Sequence, residues 1–301
     1  MRAIAVLLLF VLAGEAQAHA GHVHWTDTAA TWTWNPWVTL PLTVSGSLYA
    51  VGTAHLWRRA GVGRGVRIWQ ALCFAAGWLL LVSALVAPLH WLGERLFVAH
   101  MIEHEILMTA AAPLLVLGRP VAMLWAFPAR LRSRIGGWGQ SPVVARAWLW
   151  LTTPLPATLL HGLALWIWHA PGLYEAALAD PWIHWLQHLS FFVTALLFWR
   201  ALLMGRERTY GASVFYLFVT SLHTGFLGIL LALFRRPIYP AQTSQAAEWG
   251  LTPLEDQQLA GLFMWIPAGM VYAGAALILA GLWIARSAPR HLGGKHAHAA
   301  R

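Results

Sequence analysis

Seven stretches of this chain stay apolar for about the thickness of a bilayer, and that limits what it can fold into. They cover roughly residues 38–57, 68–88, 96–117, 148–168, 182–204, 212–234 and 259–285. No water is present in hydrocarbon to satisfy a bare N–H or C=O, so a crossing segment closes its own hydrogen bonds as a helix. About 20 apolar residues are needed for one crossing, and each stretch has them. The expectation is therefore an all-α polytopic membrane bundle of seven transmembrane helices. Composition agrees, with 59% hydrophobic and only 10% charged residues and twenty Trp, far from soluble usage. Trp37, Trp57, Trp69, Trp182 and Trp283 fall near the ends of the stretches, as an interfacial belt requires.

The N-terminus reads as an address. Arg2 precedes a short apolar run from Ile4 to Leu12, followed by Ala16-Gln17-Ala18, an A-x-A cleavage pattern. That run is too short to cross, so residues 1–18 are expected to be a cleaved signal peptide. Ala18-His19-Ala20 offers a second cut. Residues 19–35 then form a periplasmic N-terminus containing His19, His22 and His24, residues 36–285 the membrane domain, and residues 286–301 a basic cytoplasmic tail.

Charge gives the orientation. The first, third and fifth inter-helix loops hold Arg58, Arg59, Arg64 and Arg67, then Arg119, Arg130, Arg132, Arg134 and Arg146, then Arg200, Arg206 and Arg208. The tail adds Arg286, Arg290, Lys295 and Arg301, sixteen in all, against Arg95, Arg235 and Arg236 on the other side. The positive-inside rule places the N-terminus outside and the C-terminus in the cytoplasm, as a signal peptide demands. The chain is expected in a bacterial inner membrane, and its net charge of +9 is a topology signal that requires no nucleic-acid partner. Residues 120–136, basic and apolar by turns, are expected along the cytoplasmic interface. The single cysteine, Cys73, excludes a disulfide framework and a C-x-x-C metal clamp.

Fifteen histidines remain to be explained. His100 and His104 fall near the outer end of the third stretch, and His184 and His188 near the outer end of the fifth. Each pair has i, i+4 spacing, so each helix projects two imidazoles from one face. Two such pairs at one depth can offer four nitrogens to one metal, or two each to neighbouring metals, and polar groups at membrane depth are costly and tend to be functional. His169 lies at the outer rim, His161 deeper, and His223 near mid-membrane; interhelical hydrogen bonding is as good a reading for the last two. Glu103 and Glu105 flank the His100–His104 face and can orient an imidazole, as can Gln187 beside His188. Met108 and Met264 are thioethers of the kind that suit Cu(I), although packing is the commoner use of Met. His19 joins a metal set only if the free N-terminus lies beside it.

The segment "HMIEH" (100–104) also spells H-x-x-E-H, the order found in inverted zinc proteases. The facing helix supplies Gln187 where a matching carboxylate would be needed, so a hydrolase is disfavoured and no catalytic residue is assigned.

Taken together, "HMIEHEILMTAAAPLLVLGRP", "LWIWHAPGLYEAAL" and "WIHWLQHLSFF" make residues 35–285 resemble the CtaG-type assembly factors of caa-type cytochrome c oxidases. His100, His104, Pro113, Gly118, Pro120, His169, Pro171, Gln187 and His188 carry the likeness, while Glu103 departs from the Gln usual at its position. The resemblance implies a non-enzymatic factor in maturing a haem-copper oxidase, through copper insertion, with oxidase subunits and periplasmic copper chaperones as partners and the bilayer as its solvent. Two other readings stay open. One is a haem-binding electron-transfer cytochrome with axial histidines from facing helices; the other is a scaffold without metal for oxidase subunits.

Overall fold

A computed structural model describes residues 32–204 and 210–287. The expected signal segment, His19, His22, His24 and the basic tail beyond residue 287 lie outside the described residues, which are helical and contain no strand.

The surface is inverted relative to a soluble protein. Leu72 and Leu277 are 63% and 74% exposed, with Leu159, Phe215, Phe218, Leu222 and Ile278 similarly outward, whereas His100, Glu103, His104, Gln187 and Asp256 are buried. An apolar exterior of this extent belongs in lipid. Trp37, Trp69, Trp182 and Trp283 are exposed at helix ends. Trp57 is half-buried and donates to the Val66 carbonyl at 2.8 Å.

Helix α1 (Pro36–Ala60) begins at Asn35, whose Oδ1 accepts the Trp37 N–H at 3.0 Å. Helix α2 (Ile68–Leu85) is followed by the short α3 (Pro88–Gly93) and by α4 (Phe97–Leu117). A 3₁₀ turn, Pro120–Ala126, leads into α5 (Ala129–Gly139) and α6 (Pro142–Leu151), neither of which has a buried residue. Then come α7 (Pro154–Trp168), α8 (Pro171–Ala179), α9 (Pro181–Met204), α10 (Tyr210–Leu233) and α11 (Pro253–Ser287). Five of these, α2, α4, α9, α10 and α11, are long and apolar enough to cross a membrane.

The other two expected segments differ in kind. Helix α1 is long enough, but Thr39, Thr43, Ser45, Ser47 and Thr53 dilute its apolar character. The stretch 148–168 is interrupted. Pro154 and Pro156 lack the amide that would continue the helix and bias the preceding residue away from it. Thr152 and Thr153 turn their hydroxyls back onto the carbonyls of Trp148 and Trp150, each at 2.7 Å. What remains, α7, has 15 residues, a rise of about 22 Å.

The last helix starts six residues earlier than its apolar stretch. Thr252 and Glu255 form a capping box, with the Thr252 N–H donating to Glu255 Oε2 at 2.7 Å and the Glu255 N–H to Thr252 Oγ1 at 3.2 Å, and Pro253 takes the first helical position. Helices α10 and α11 pack along their length. They approach so closely at Gly228 and Gly261 that a Cβ on either would fall 2.7 or 2.5 Å from the other's carbonyl oxygen.

Candidate metal centre

The centre is built around the first turns of α4, and the start of that helix is held from elsewhere. No side chain of its own caps it. Instead Asp256, near the start of α11, accepts the N–H groups of Phe97 at 2.8 Å and Val98 at 2.9 Å across more than 150 residues of sequence. Two amides that would be orphaned are satisfied, and a carboxylate faces the positive end of the helix. Asp256 thereby fixes where His100 and His104, on the next two turns, present their rings.

Below them α4 widens into a π-helical turn, Ile106–Ala111, with the Ala112 N–H bonding to the carbonyl of Leu107. The Trp199 indole N–H donates to the Met108 carbonyl at 2.8 Å from α9. Such turns recur at functional sites.

Six imidazoles meet at this end of the bundle. His100 and His104 come from α4, His184 and His188 from α9, His90 from α3, and His169 from the C-terminal cap of α7. Ring centres lie 5.3 Å apart for His100–His184, 5.7 Å for His100–His188 and 4.8 Å for His104–His188. Nitrogens of His100, His104 and His188 all lie within 4.8 Å of one another. The structure brings rings of both i, i+4 pairs together, with His184 outside the closest group of three, and His169 adjoins them with its ring centre 6.5 Å from that of His104.

Six of these twelve ring nitrogens are buried with no protein partner. Nε2 of His100, His169, His184 and His188, and both nitrogens of His104, are buried without a hydrogen bond. His169 Nδ1 donates to the Leu165 carbonyl at 2.7 Å, which leaves its Nε2 as a bare acceptor. Buried polar atoms are nearly always paired, and this concentration of orphans includes the three histidines, His100, His104 and His188, that could hold a metal ion.

Glu103 is fully buried between His90 and His100. Its Oε1 accepts His90 Nδ1 at 3.1 Å and its Oε2 lies 4.0 Å from His100 Nδ1. Gly93 makes room, since a Cβ there would stand 2.8 Å from Glu103 Oε2. Burial disfavours charge on His90, but the adjacent Glu103 carboxyl outweighs it and holds the imidazole above its usual pKa.

The other expected residues are placed as follows. Gln187 is fully buried beside the cluster with neither amide atom bonded, and Glu105 is buried with Oε2 unpaired. His161 and His223 form a separate pair: His161 Nδ1 meets Thr194 Oγ1 at 3.1 Å, and His223 Nε2 lies where a Cβ on Gly162 would come within 3.3 Å. Met108 packs in the large apolar core. Met264 packs with Phe97, Met101, Leu227 and Tyr239.

Sequence reasoning did not single out His90, Tyr174, Tyr239, Gln242 or Asp256. Tyr174 sits beside His100, ring centres 5.7 Å apart, with its hydroxyl buried and unpaired. The loop between α10 and α11 is tied down over the cluster. The Tyr239 hydroxyl donates to the His169 carbonyl at 2.6 Å and Gln242 Nε2 to the Gly93 carbonyl at 2.8 Å. Burial raises the Tyr239 pKa, keeping that donor protonated. Asp256 did leave a trace, a carboxylate at the mouth of an apolar stretch, where a charge needs a reason.

A family model described as cytochrome c oxidase caa3 assembly factor matches residues 47–286. Neither a curated protein nor a solved structure matches the chain.

Proposed function

The chain belongs to the caa3 cytochrome c oxidase assembly factors, and on that premise we propose that it handles copper for the maturing oxidase. The ion is cargo, held by His100, His104 and His188, with His169 and His184 beside them. In this reading it is not an enzyme. It spans the bacterial inner membrane seven times after signal cleavage, N-terminus in the periplasm and C-terminus in the cytoplasm, and exchanges copper with periplasmic chaperones and oxidase subunits.

The observation that carries the reading is the triad, three mutually close imidazoles whose facing nitrogens lack any protein partner. Neutral imidazole suits copper, and the Glu103 carboxyl lies against the set, 4.0 Å from His100 Nδ1. Histidines acting as interhelical glue in a scaffold would be hydrogen-bonded to their neighbours. A haem cytochrome would need a flat slot between two facing imidazoles, whereas these rings touch one another at 4.8 to 5.7 Å. An unpaired set of close rings favours a single ion.

The test pairs metal content with oxidase assembly. Purified protein should carry copper and show no Soret band, and the His100→Ala/His104→Ala/His188→Ala variant should carry none. In a deletion strain under copper limitation, cytochrome c oxidase activity should fall and return only with the intact gene. Undiminished copper in the triple variant would defeat the assignment.

A further inference from the structure

The triad uses three of six converging imidazoles, and the remaining ones are not scattered. The rings form a line from half-buried to buried. The His90 side chain is 14% exposed and His184 is half-buried, whereas His188 is 7% and His100 and His104 are 1% exposed. His90 and His188 also line a cavity of about 620 Å³ between α1, α2 and α9, walled by Trp37, Trp182 and Trp185.

Ring spacing along this line fits ligand sharing. With a metal–nitrogen bond of about 2.0–2.1 Å, a ring centre lies about 3.2 Å from the ion, so two imidazoles on one ion have centres about 4.5 Å apart at right angles and about 6.4 Å apart on opposite sides. The steps His90–His184 at 5.9 Å, His184–His100 at 5.3 Å, His100–His188 at 5.7 Å and His188–His104 at 4.8 Å all fall in that window. Nε2 of His184, His100 and His188 is unpaired, and at His90 the bond to Glu103 occupies Nδ1 and leaves Nε2 to bind.

We propose that His90 and His184 form a loading site, from which the copper ion passes to the inner triad by exchanging one imidazole at a time, with His100 shared between the two stations. This rests on the copper reading above. Each step makes one nitrogen–metal bond as another breaks. The metal keeps its oxidation state; the ligating nitrogens of His184, His100 and His188 are bare, and a proton carried on His90 Nε2 leaves to water as the ion binds there. The physical need is burial: of the triad only His188 meets the cavity, and His100 and His104 are closed to water, so an ion reaching them directly would shed its hydration before meeting its full ligand set. Imidazoles in series replace that hydration stepwise. Glu103, at 3.1 Å from His90 and 4.0 Å from His100, faces both stations, where an arriving cation favours its ionised form.

The test is anaerobic transfer of cuprous ion from a chromophoric chelator to the purified full-length protein in detergent, read as rate and stoichiometry. His184→Ala and His90→Gln/His184→Ala should keep the wild-type copper content but load more slowly by about tenfold or more, the scale of losing a residue that orders a metal ligand. His104→Ala should lose content. Wild-type loading rate in the double variant would overturn the relay. So would loss of copper in that variant equal to His104→Ala at an unchanged melting temperature, since all the rings would then serve one site. Should the double variant fail to fold, His184→Ala alone decides between the same outcomes. A wild-type protein that takes up no cuprous ion overturns the copper reading itself, and the relay with it.

Discussion

At His104 both ring nitrogens are buried and unpaired, a state that carries a penalty of about 1–3 kcal/mol for each unsatisfied group. The side chain is therefore a stability deficit that a ligand would repair. His104→Leu should lose copper, yet metal-free protein carrying it should melt at the same or a higher temperature than metal-free wild type; a clear fall in thermal scans with chelator present would mean the ring already has a partner. Two histidines four residues apart on each of two helices were legible in sequence because the α-helical period alone puts them on one face. Glu103 was legible as a flanking carboxyl able to orient an imidazole, but its partner His90 was not. The position of Glu103 between the rings depends on the missing side chain of Gly93, and nothing local in "HMIEH" points ten residues back.

Helix α4 shows how an element is positioned by chemistry outside itself. Asp256→Ala would strand the amides of Phe97 and Val98, a loss of about 0.5–2 kcal/mol as a removed helix cap, and would loosen the turn that bears His100. Melting temperature should fall and copper affinity with it, while Asp256→Asn, which keeps an acceptor, should do less harm; equal melting of wild type and Asp256→Ala would show that the cap is not felt. Apolar length was enough to read most helices from sequence, since the bilayer enforces it. The break before Pro154 was also written in the sequence, in Thr-Thr-Pro-Leu-Pro, but the surrounding run of Trp and Leu masks it. The π-helical turn had no such mark. It follows from an indole on α9 reaching the Met108 carbonyl, a contact between segments distant in the chain.

For the whole molecule, the asymmetry of Arg and Lys makes a prediction that the helices alone do not. A reporter active only in the periplasm should be silent when fused after Arg301 and active when fused in the loop between α10 and α11; activity at the C-terminus would invert the assignment. That loop and the start of α11 also close the histidine cluster, through Tyr239, Gln242 and Asp256. All six clustered histidines precede residue 189, whereas the groups that hold three of their helices in place come after residue 238. The order of synthesis therefore acts as a timer. A nascent chain displays every imidazole long before the last helix arrives to set their spacing, and tight metal capture should wait for it. Chains ended at Gly250 and purified from membranes should carry far less copper than full-length protein, and equal loading of the two would show that the cluster assembles without its final clasp.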